Sequence, residues 1–433
     1  MAGYRLALPK MELAPDTRAF TSYSPTSTPI LDVLRPAPRP ALGKLTTGEY
    51  FFASSILILG VISLSQIREV LGYQKLSPVG LAISLVLLTS GSLMVSALVH
   101  ELGHLVGSVW LKFRMVQLHI GGDWEDPCRT DARLHACGVV HLNAMTLAPR
   151  RPDNLRHRLM GLVLSGPAAN LLFAALMVAC PYWSEKGMVV AFQAYVVAMF
   201  SALYGIASLM PDIDRKGNYS DGARALMLMK NDDLAARWLA ILQLEMQLGQ
   251  GIHPRDWDKA ALVRATVSND DSRDSVTGNW LAYLWAFESQ DITSATRYLE
   301  DALAAPSSSS GWMRNRLYVE AAVFQAWFRD NGAKARSWSA MIDNSRLLPS
   351  QQQRLTIVLL WAEGRLFDAW EQMSGYMNLL EQIPDANARE LAGKSALEWK
   401  HQMESRMLTR AWRTMYAMSQ EVEHSTPADT VSS

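Results

Sequence analysis

His100, Glu101 and His104 stand together in the order HELGH. On an α-helix, positions i and i+4 share a face, so His100 and His104 can offer imidazole nitrogens to one cation while Glu101 lies beside it. Metal-assisted hydrolysis uses this arrangement: zinc polarises a carbonyl and lowers the pKa of a water from about 16 to about 7, and the glutamate serves as general base. The spacing therefore predicts His100 and His104 as Zn2+ ligands and Glu101 as the catalytic base. The alternative is a pair of buried histidines satisfied by neighbouring hydroxyls, with Glu101 ending an apolar stretch.

The elements that must position these residues are apolar. From Leu81 to Trp110, Glu101 is the only Asp, Glu, Lys or Arg. A charge at mid-bilayer costs about 2.5 to 3.5 kcal/mol on the lenient insertion scale, so such residues usually have a function. A span needs about 20 apolar residues. Four segments qualify, at 50–71, 83–108, 159–180 and 188–210. The third carries Gly161, Ser165 and Ala169 at four-residue spacing, a small-residue stripe that lets a neighbour approach, and Pro167, which should loosen the helix. Lys112, Arg114, Arg129, Arg133, Arg150, Arg151, Arg156 and Arg158 crowd the segment 112–158, whereas the other turns hold only Lys75 and Lys186. Basic loops stay in the cytoplasm, which places both termini there and HELGH towards the cytoplasmic end of its span.

The chain balances 41 basic against 41 acidic residues, but apolar residues concentrate before position 211 and charged ones after it. A membrane half thus precedes a soluble half. Cys128, Cys137 and Cys180 do not make a disulfide framework. The first apolar run starts only after about 50 Pro-rich residues, unlike a cleavable signal.

A catalytic zinc wants a third protein ligand and an open position. The segment SLMPDIDRKGNYSDGARAL, 208–226, offers Asp212, Asp214 and Asp221 on the same side as HELGH. Asp221 is favoured because SDG directly precedes a helical run, although Ser-Asp-Gly is also an ordinary helix entry. In GPAAN, 166–170, Asn170 lies twelve residues beyond Arg158, and His100 lies twelve before Lys112. At about 1.5 Å per residue both sit about 18 Å from the same boundary, so they can be level. The Asn170 amide could hold a substrate backbone or stabilise an oxyanion, or it could make an interhelical hydrogen bond.

HELGH, then GPAAN, then a proline followed by Asp-Gly resemble the site-2 protease family of intramembrane zinc metalloproteases, over about residues 85–230. The resemblance implies a mainly α, polytopic membrane core with a small β-hairpin insert. It implies one Zn2+ held by His100, His104 and Asp221, with Glu101 catalytic and Asn170 against the substrate. The expected substrate is a membrane-spanning or membrane-associated protein, and the expected location is the bacterial inner membrane. Two departures stand out: Ser208 occupies the place of the family's asparagine, and the interval from Pro211 to Asp221 is longer than usual. Asp212 and Asp214 therefore remain alternatives. Between the first two motifs, the runs MVQLHI and GVVHLNAM read as strands. In the resembled family a hairpin there can pair with an unwound substrate. Cys128, His135, Cys137 and His141 fit no common zinc module in spacing.

After about residue 232 the pattern is helical. WAFESQDITSATRYL, AWFRDNGAKARSWSAM and LLWAEGRLFDAWEQM share a helix-turn-helix outline, with Ala295, Ala335 and Ala369 in register at separations of 40 and 34 residues. This is tetratricopeptide-like, an architecture that binds peptides or partner proteins, or else an ordinary α-helical domain. No basic and aromatic cluster suggests nucleic acid. The expected organisation is a flexible tail at 1–48, a transmembrane metalloprotease core at 49–231, a cytoplasmic helical domain at 232–424 and a tail at 425–433. The leading expectation is an intramembrane zinc endopeptidase in regulated proteolysis, recruiting substrate or a regulator through the helical domain. The rival is a catalytically silent membrane scaffold. A transporter fits four spans poorly and gives HExxH no reason.

Overall fold

The computed structural model describes residues 78–118, 145–149, 153–183, 188–213, 217–267, 270, 272–304, 311–383 and 386–425. The expected first span at 50–71, the tail at 1–48, all but the first residue of the tail at 425–433, Asp214, and Cys128, His135, Cys137 and His141 lie outside them.

The described chain is mainly helical. Its first three helices are α1 (Pro78–Trp110), α2 (Leu155–Trp183) and α3 (Met188–Leu209). Each contains a stretch long and apolar enough to cross a membrane: Ala82–Trp110, Leu155–Ala179 and Ala191–Leu209. These match the segments expected at 83–108, 159–180 and 188–210. Large apolar side chains such as Val86, Met94, Leu98, Leu102 and Val106 stay exposed on the outer face of α1.

The inner faces meet through small residues. A Cβ added to Gly103 would stand 2.5 Å from the Ser165 carbonyl oxygen and 2.6 Å from the Ala169 Cβ, and one added to Gly107 would stand 2.4 Å from Ser165 Oγ. Gly161 faces the side chain of Leu111, the residue after α1, where an added Cβ would stand 3.1 Å from its Cδ1. The stripe Gly161, Ser165, Ala169 therefore lies against α1, and its counterpart is the Gly103-xxx-Gly107 pair. Pro167 leaves α2 continuous, and Gly205 of α3 approaches its carbonyl.

Strands β1 (Phe113–Leu118) and β2 (Met145–Pro149) pair antiparallel, with an irregularity between Met115 and Gln117. The second strand begins at Met145, the last residue of the run expected to form it, and most of that run lies outside the described residues. At the start of α2, Arg158 donates to the carbonyls of Leu111 and Lys112 at 2.8 Å each, closing the end of α1. Arg156 donates to Leu228 and Met229 at 2.7 and 3.1 Å, the last turn of α4 (Asp221–Lys230). Guanidinium groups suit helix C-termini because free carbonyls and the negative dipole end coincide there. Two arginines that serve as a sidedness signal in the sequence thus also lock α1 and α4 to α2.

The remaining helices are α5 (Asp233–Gly249), α6 (Lys259–Ala265), α7 (Arg273–Glu288), α8 (Ile292–Ala304), α9 (Gly311–Trp327), α10 (Gly332–Ser339), α11 (Pro349–Ala362), α12 (Leu366–Glu381) and α13 (Ala386–Ser425). Three successive pairs, α7/α8, α9/α10 and α11/α12, are joined by tight turns of one design. Gln290, Asp330 and Gly364 adopt positive φ. The residue after each donates back to the preceding helix, Asp291 to Ala286, Asn331 to Gln325 and Arg365 to Leu360. Five residues beyond each turn, Ala295, Ala335 and Ala369 are fully buried. The alanine register thus marks a structural repeat, and its period is irregular because the helices differ in length, 13 and 17 residues in α8 and α9 against 8 and 14 in α10 and α11. Tyr283, Phe324, Trp327, Trp338 and Trp361 fill the core.

The two halves share a polar junction. Arg237 of α5, fully buried, donates to Asp270 at 2.9 Å, to Ser272 at 2.8 Å and to Tyr219 at 3.3 Å. Burial pushes the Asp270 carboxyl up, but hydrogen bonds from Arg237 and Ser272 outweigh it and hold its pKa below the ordinary value. A depressed folded pKa stabilises the fold above the unfolded carboxyl's value of about 3.9, and that contribution fades as pH falls through the folded value. Wild type should therefore unfold at a higher temperature than Asp270→Asn at neutral pH. The gap, measured by thermal scanning in one detergent, should shrink below about pH 4.

Candidate metal centre

His100, Glu101 and His104 lie on α1, Asn170 on α2, and Asp221 is the first residue of α4. The fold brings three donor atoms together. His100 Nε2 lies 3.1 Å from His104 Nε2. Asp221 Oδ2 lies 3.0 Å from the first and 3.6 Å from the second. Four-coordinate zinc with bonds of about 2.0 to 2.1 Å has donor-to-donor edges of about 3.3 to 3.4 Å, so the three separations bracket what a tetrahedral ion requires. Two imidazoles and one carboxylate also form a donor set suited to zinc.

Each histidine is oriented from behind. His104 Nδ1 lies 2.9 Å from the Leu162 carbonyl, which can only accept, so Nδ1 carries the proton and Nε2 keeps its lone pair. His100 Nδ1 faces the side-chain amide of Asn170 at 3.3 Å, and Ser201 Oγ of α3 donates to the Asn170 carbonyl at 3.0 Å. With the amide N–H towards His100, Nε2 carries the proton and donates to Asp221. With the amide oxygen there, Nδ1 carries it and Nε2 is free for a cation. A half-turn of the amide interconverts the two states.

Asn170 is level with His100, as the twelve-residue intervals suggest, but it is fully buried between His100 and Ser201. In this setting its amide makes the interhelical contact with His100 that was the alternative to a substrate role. Glu101 is half-buried and within electrostatic reach of His104 and Asp221. Asp212 takes no part in the donor group: its carboxylate accepts its neighbour Ile213's N–H at 2.8 Å.

Asp221 is delivered by a closed loop. Ser220 caps α4 by accepting the Ala223 N–H at 3.1 Å. Its hydroxyl also donates to the Met210 carbonyl at 2.5 Å, and its backbone N–H donates to the Asp212 carbonyl at 2.9 Å. A Cβ on Gly222 would lie 1.9 Å from the Leu209 carbonyl oxygen, so only glycine lets α4 start against the end of α3. Burial pushes the Asp221 carboxyl up, yet its closeness to the imidazoles of His100 and His104 outweighs this and brings its pKa to about 2. The group stays an anion at any ordinary pH.

Two residues of the site escape the motif reading. Gly166, the first residue of GPAAN, lies under the imidazoles, where an added Cβ would stand 2.4 Å from His104 Nε2 and 2.9 Å from His100 Nε2. Tyr204 of α3 sets its ring edge-on to His100 with centroids 5.2 Å apart, and its hydroxyl is within electrostatic reach of Glu101 and Asp221. The first had a signal, four-residue spacing to Asn170; the second had none. A further group, His253, Glu288 and Glu398, lies in the helical half. There His253 Nδ1 accepts the Arg255 N–H and Glu398 is paired with the Arg255 guanidinium, so its donors are already committed.

No protein-family model, curated protein or solved structure matches the chain.

The crowding at Gly166 is testable. In Gly166→Ala the new methyl should force the imidazoles apart and lower zinc affinity by about 10-fold or more, measured by chelator competition. Gly91→Ala, whose Cβ would meet nothing within 4 Å, should bind zinc as wild type does.

Proposed function

We propose that the chain is an intramembrane zinc endopeptidase of the site-2 protease type, cutting a membrane-spanning or membrane-associated protein near the cytoplasmic face. The observation that carries this reading is the convergence of His100 Nε2, His104 Nε2 and Asp221 Oδ2 within 3.0 to 3.6 Å, beside Glu101, among helices apolar enough to span a bilayer. The donor set fits zinc, with His100, His104 and Asp221 as the residues that would hold it. When bound, zinc supplies Lewis-acid activation of the scissile carbonyl and of water.

The chain's own residues do the rest. Glu101 accepts the proton of the attacking water at its carboxylate and passes it to the leaving amide nitrogen. Leu162 and Asn170 hold the two imidazoles in register from behind. Tyr204, edge-on to His100, would donate to negative charge developing on the carbonyl oxygen. The substrate helix must unwind locally, because a hydrogen-bonded helix shields its carbonyls from attack. Strand β1, which begins just beyond the cytoplasmic end of α1, offers an edge for the extended segment. The exposed apolar residues of α1 face lipid, and the C-terminal helix pairs recruit the substrate or a regulator.

Purified full chain should carry one zinc per molecule, and His104→Ala should lose it. With a single-span polypeptide as substrate in proteoliposomes, Glu101→Gln should retain zinc and cleave about 100-fold or more slowly than wild type. Wild type without zinc would leave the scaffold reading in its place. Unchanged cleavage by Glu101→Gln would remove Glu101 as the base.

A further inference from the structure

Asp221 is the one donor of the three that does not sit on a long apolar helix, and its carrier α4 is gripped from the soluble side. Arg224, one turn beyond Asp221, forks onto the Asp274 carboxylate: Nη2 donates to Oδ1 at 2.8 Å and Nη1 to Oδ2. Its guanidinium also lies on the rings of Tyr219 and Trp238, 4.6 and 4.3 Å from their centroids. Asp274 belongs to the first turn of α7. That turn also holds the chain upstream of Asp221, because the Arg273 N–H donates to the Gly217 carbonyl at 3.1 Å and its guanidinium reaches Asn218 at 3.5 Å. The start of α7 thus contacts the Asp221 segment on both sides, at 217–218 and at 224. Arg224 and Asp274 are both largely buried, at 15% and 11% side-chain exposure, so the pair is shielded from solvent screening that would weaken it.

We infer that Asp274, in the helical domain, is a positioning residue for the metal centre: through Arg224 it sets where Asp221 Oδ2 stands relative to the two imidazoles. The inference rests on reading His100, His104 and Asp221 as a zinc site. Its consequence is that the helical domain completes the site, so a partner that shifts the first turn of α7 alters zinc affinity. By linkage, zinc must in turn steady that turn.

The test measures zinc affinity of the full chain in detergent by chelator competition, together with the visible spectrum of the cobalt-loaded protein. Asp274→Asn should weaken zinc by about 10-fold or more and change the cobalt spectrum, as loss of an outer partner of a ligand does. Arg224→Glu combined with Asp274→Arg should recover part of the loss. The control is Asn315→Ala, which removes two hydrogen bonds to the Asp343 backbone far from α4. It should lower thermal stability and leave zinc affinity and the cobalt spectrum unchanged. In wild type, zinc should slow amide exchange at residues 272–276, an arm that needs no variant to fold. Wild-type affinity in Asp274→Asn, an equal loss in Asn315→Ala, or zinc-independent exchange at 272–276 would each overturn the inference. Wild type that binds no zinc would instead remove the metal-site reading beneath it.

Discussion

The site depends on one steric fact: α1 and α2 touch backbone to backbone, because glycine has removed the side chains between them. Gly103 and Gly107 on α1 meet Ser165 and Ala169, and Gly166 on α2 lies under the histidine rings. Without a hydrophobic driving force between helices in lipid, such contacts hold a bundle through packing and interhelical hydrogen bonds. The same closeness brings the Leu162 carbonyl within 2.9 Å of His104 and the Asn170 amide within 3.3 Å of His100. A helix pair held apart by ordinary side chains would leave both imidazoles free to turn. Packing and ligand orientation are therefore one interaction at this place.

Polar groups inside apolar helices must find partners or remain costly. Here they form a chain across three helices, from Ser201 on α3 through Asn170 on α2 to His100 on α1. Each member meets the next: Ser201 donates to the backbone and side-chain oxygens of Asn170, the amide faces the ring, and the ring presents Nε2 to Asp221. Asn170 therefore has work to do whether or not a substrate approaches it.

Much of this was legible in the sequence where periodicity and spacing are strict. Three apolar spans, the HELGH face and the small-residue stripe follow from residue order, because helical geometry is regular, whereas the helix-entry setting of Asp221 favours it as neighbour to the histidines and leaves Asp212 and Asp214 open. The alanine register at 295, 335 and 369 marked the helix pairs for the same reason. Other features depend on tertiary contact and carry no local mark. Tyr204 looks like any aromatic in an apolar span, and Gln290 and Asp330 adopt the left-handed conformation that Gly364 takes in the third of these turns. Arg156 and Arg158 were legible as charge but not as caps for α1 and α4. The burial of Asn170 could not be foreseen, because level placement on two helices does not say which way an amide faces.

The division of donors between the two halves has an electrostatic logic. Neutral imidazoles with hydrogen-bond partners cost less on an apolar helix than a carboxylate, whose charge is expensive there. The third donor comes instead from α4, whose opposite side is anchored by Arg224 to Asp274 and whose end is closed by Arg156. The anion is thus delivered from the polar side and meets the histidines at the boundary. Glu101 is the exception, the single acid of its apolar run. An acid there carries a desolvation penalty, and because it lies within reach of both His104 and Asp221 its charge is coupled to the same group of residues.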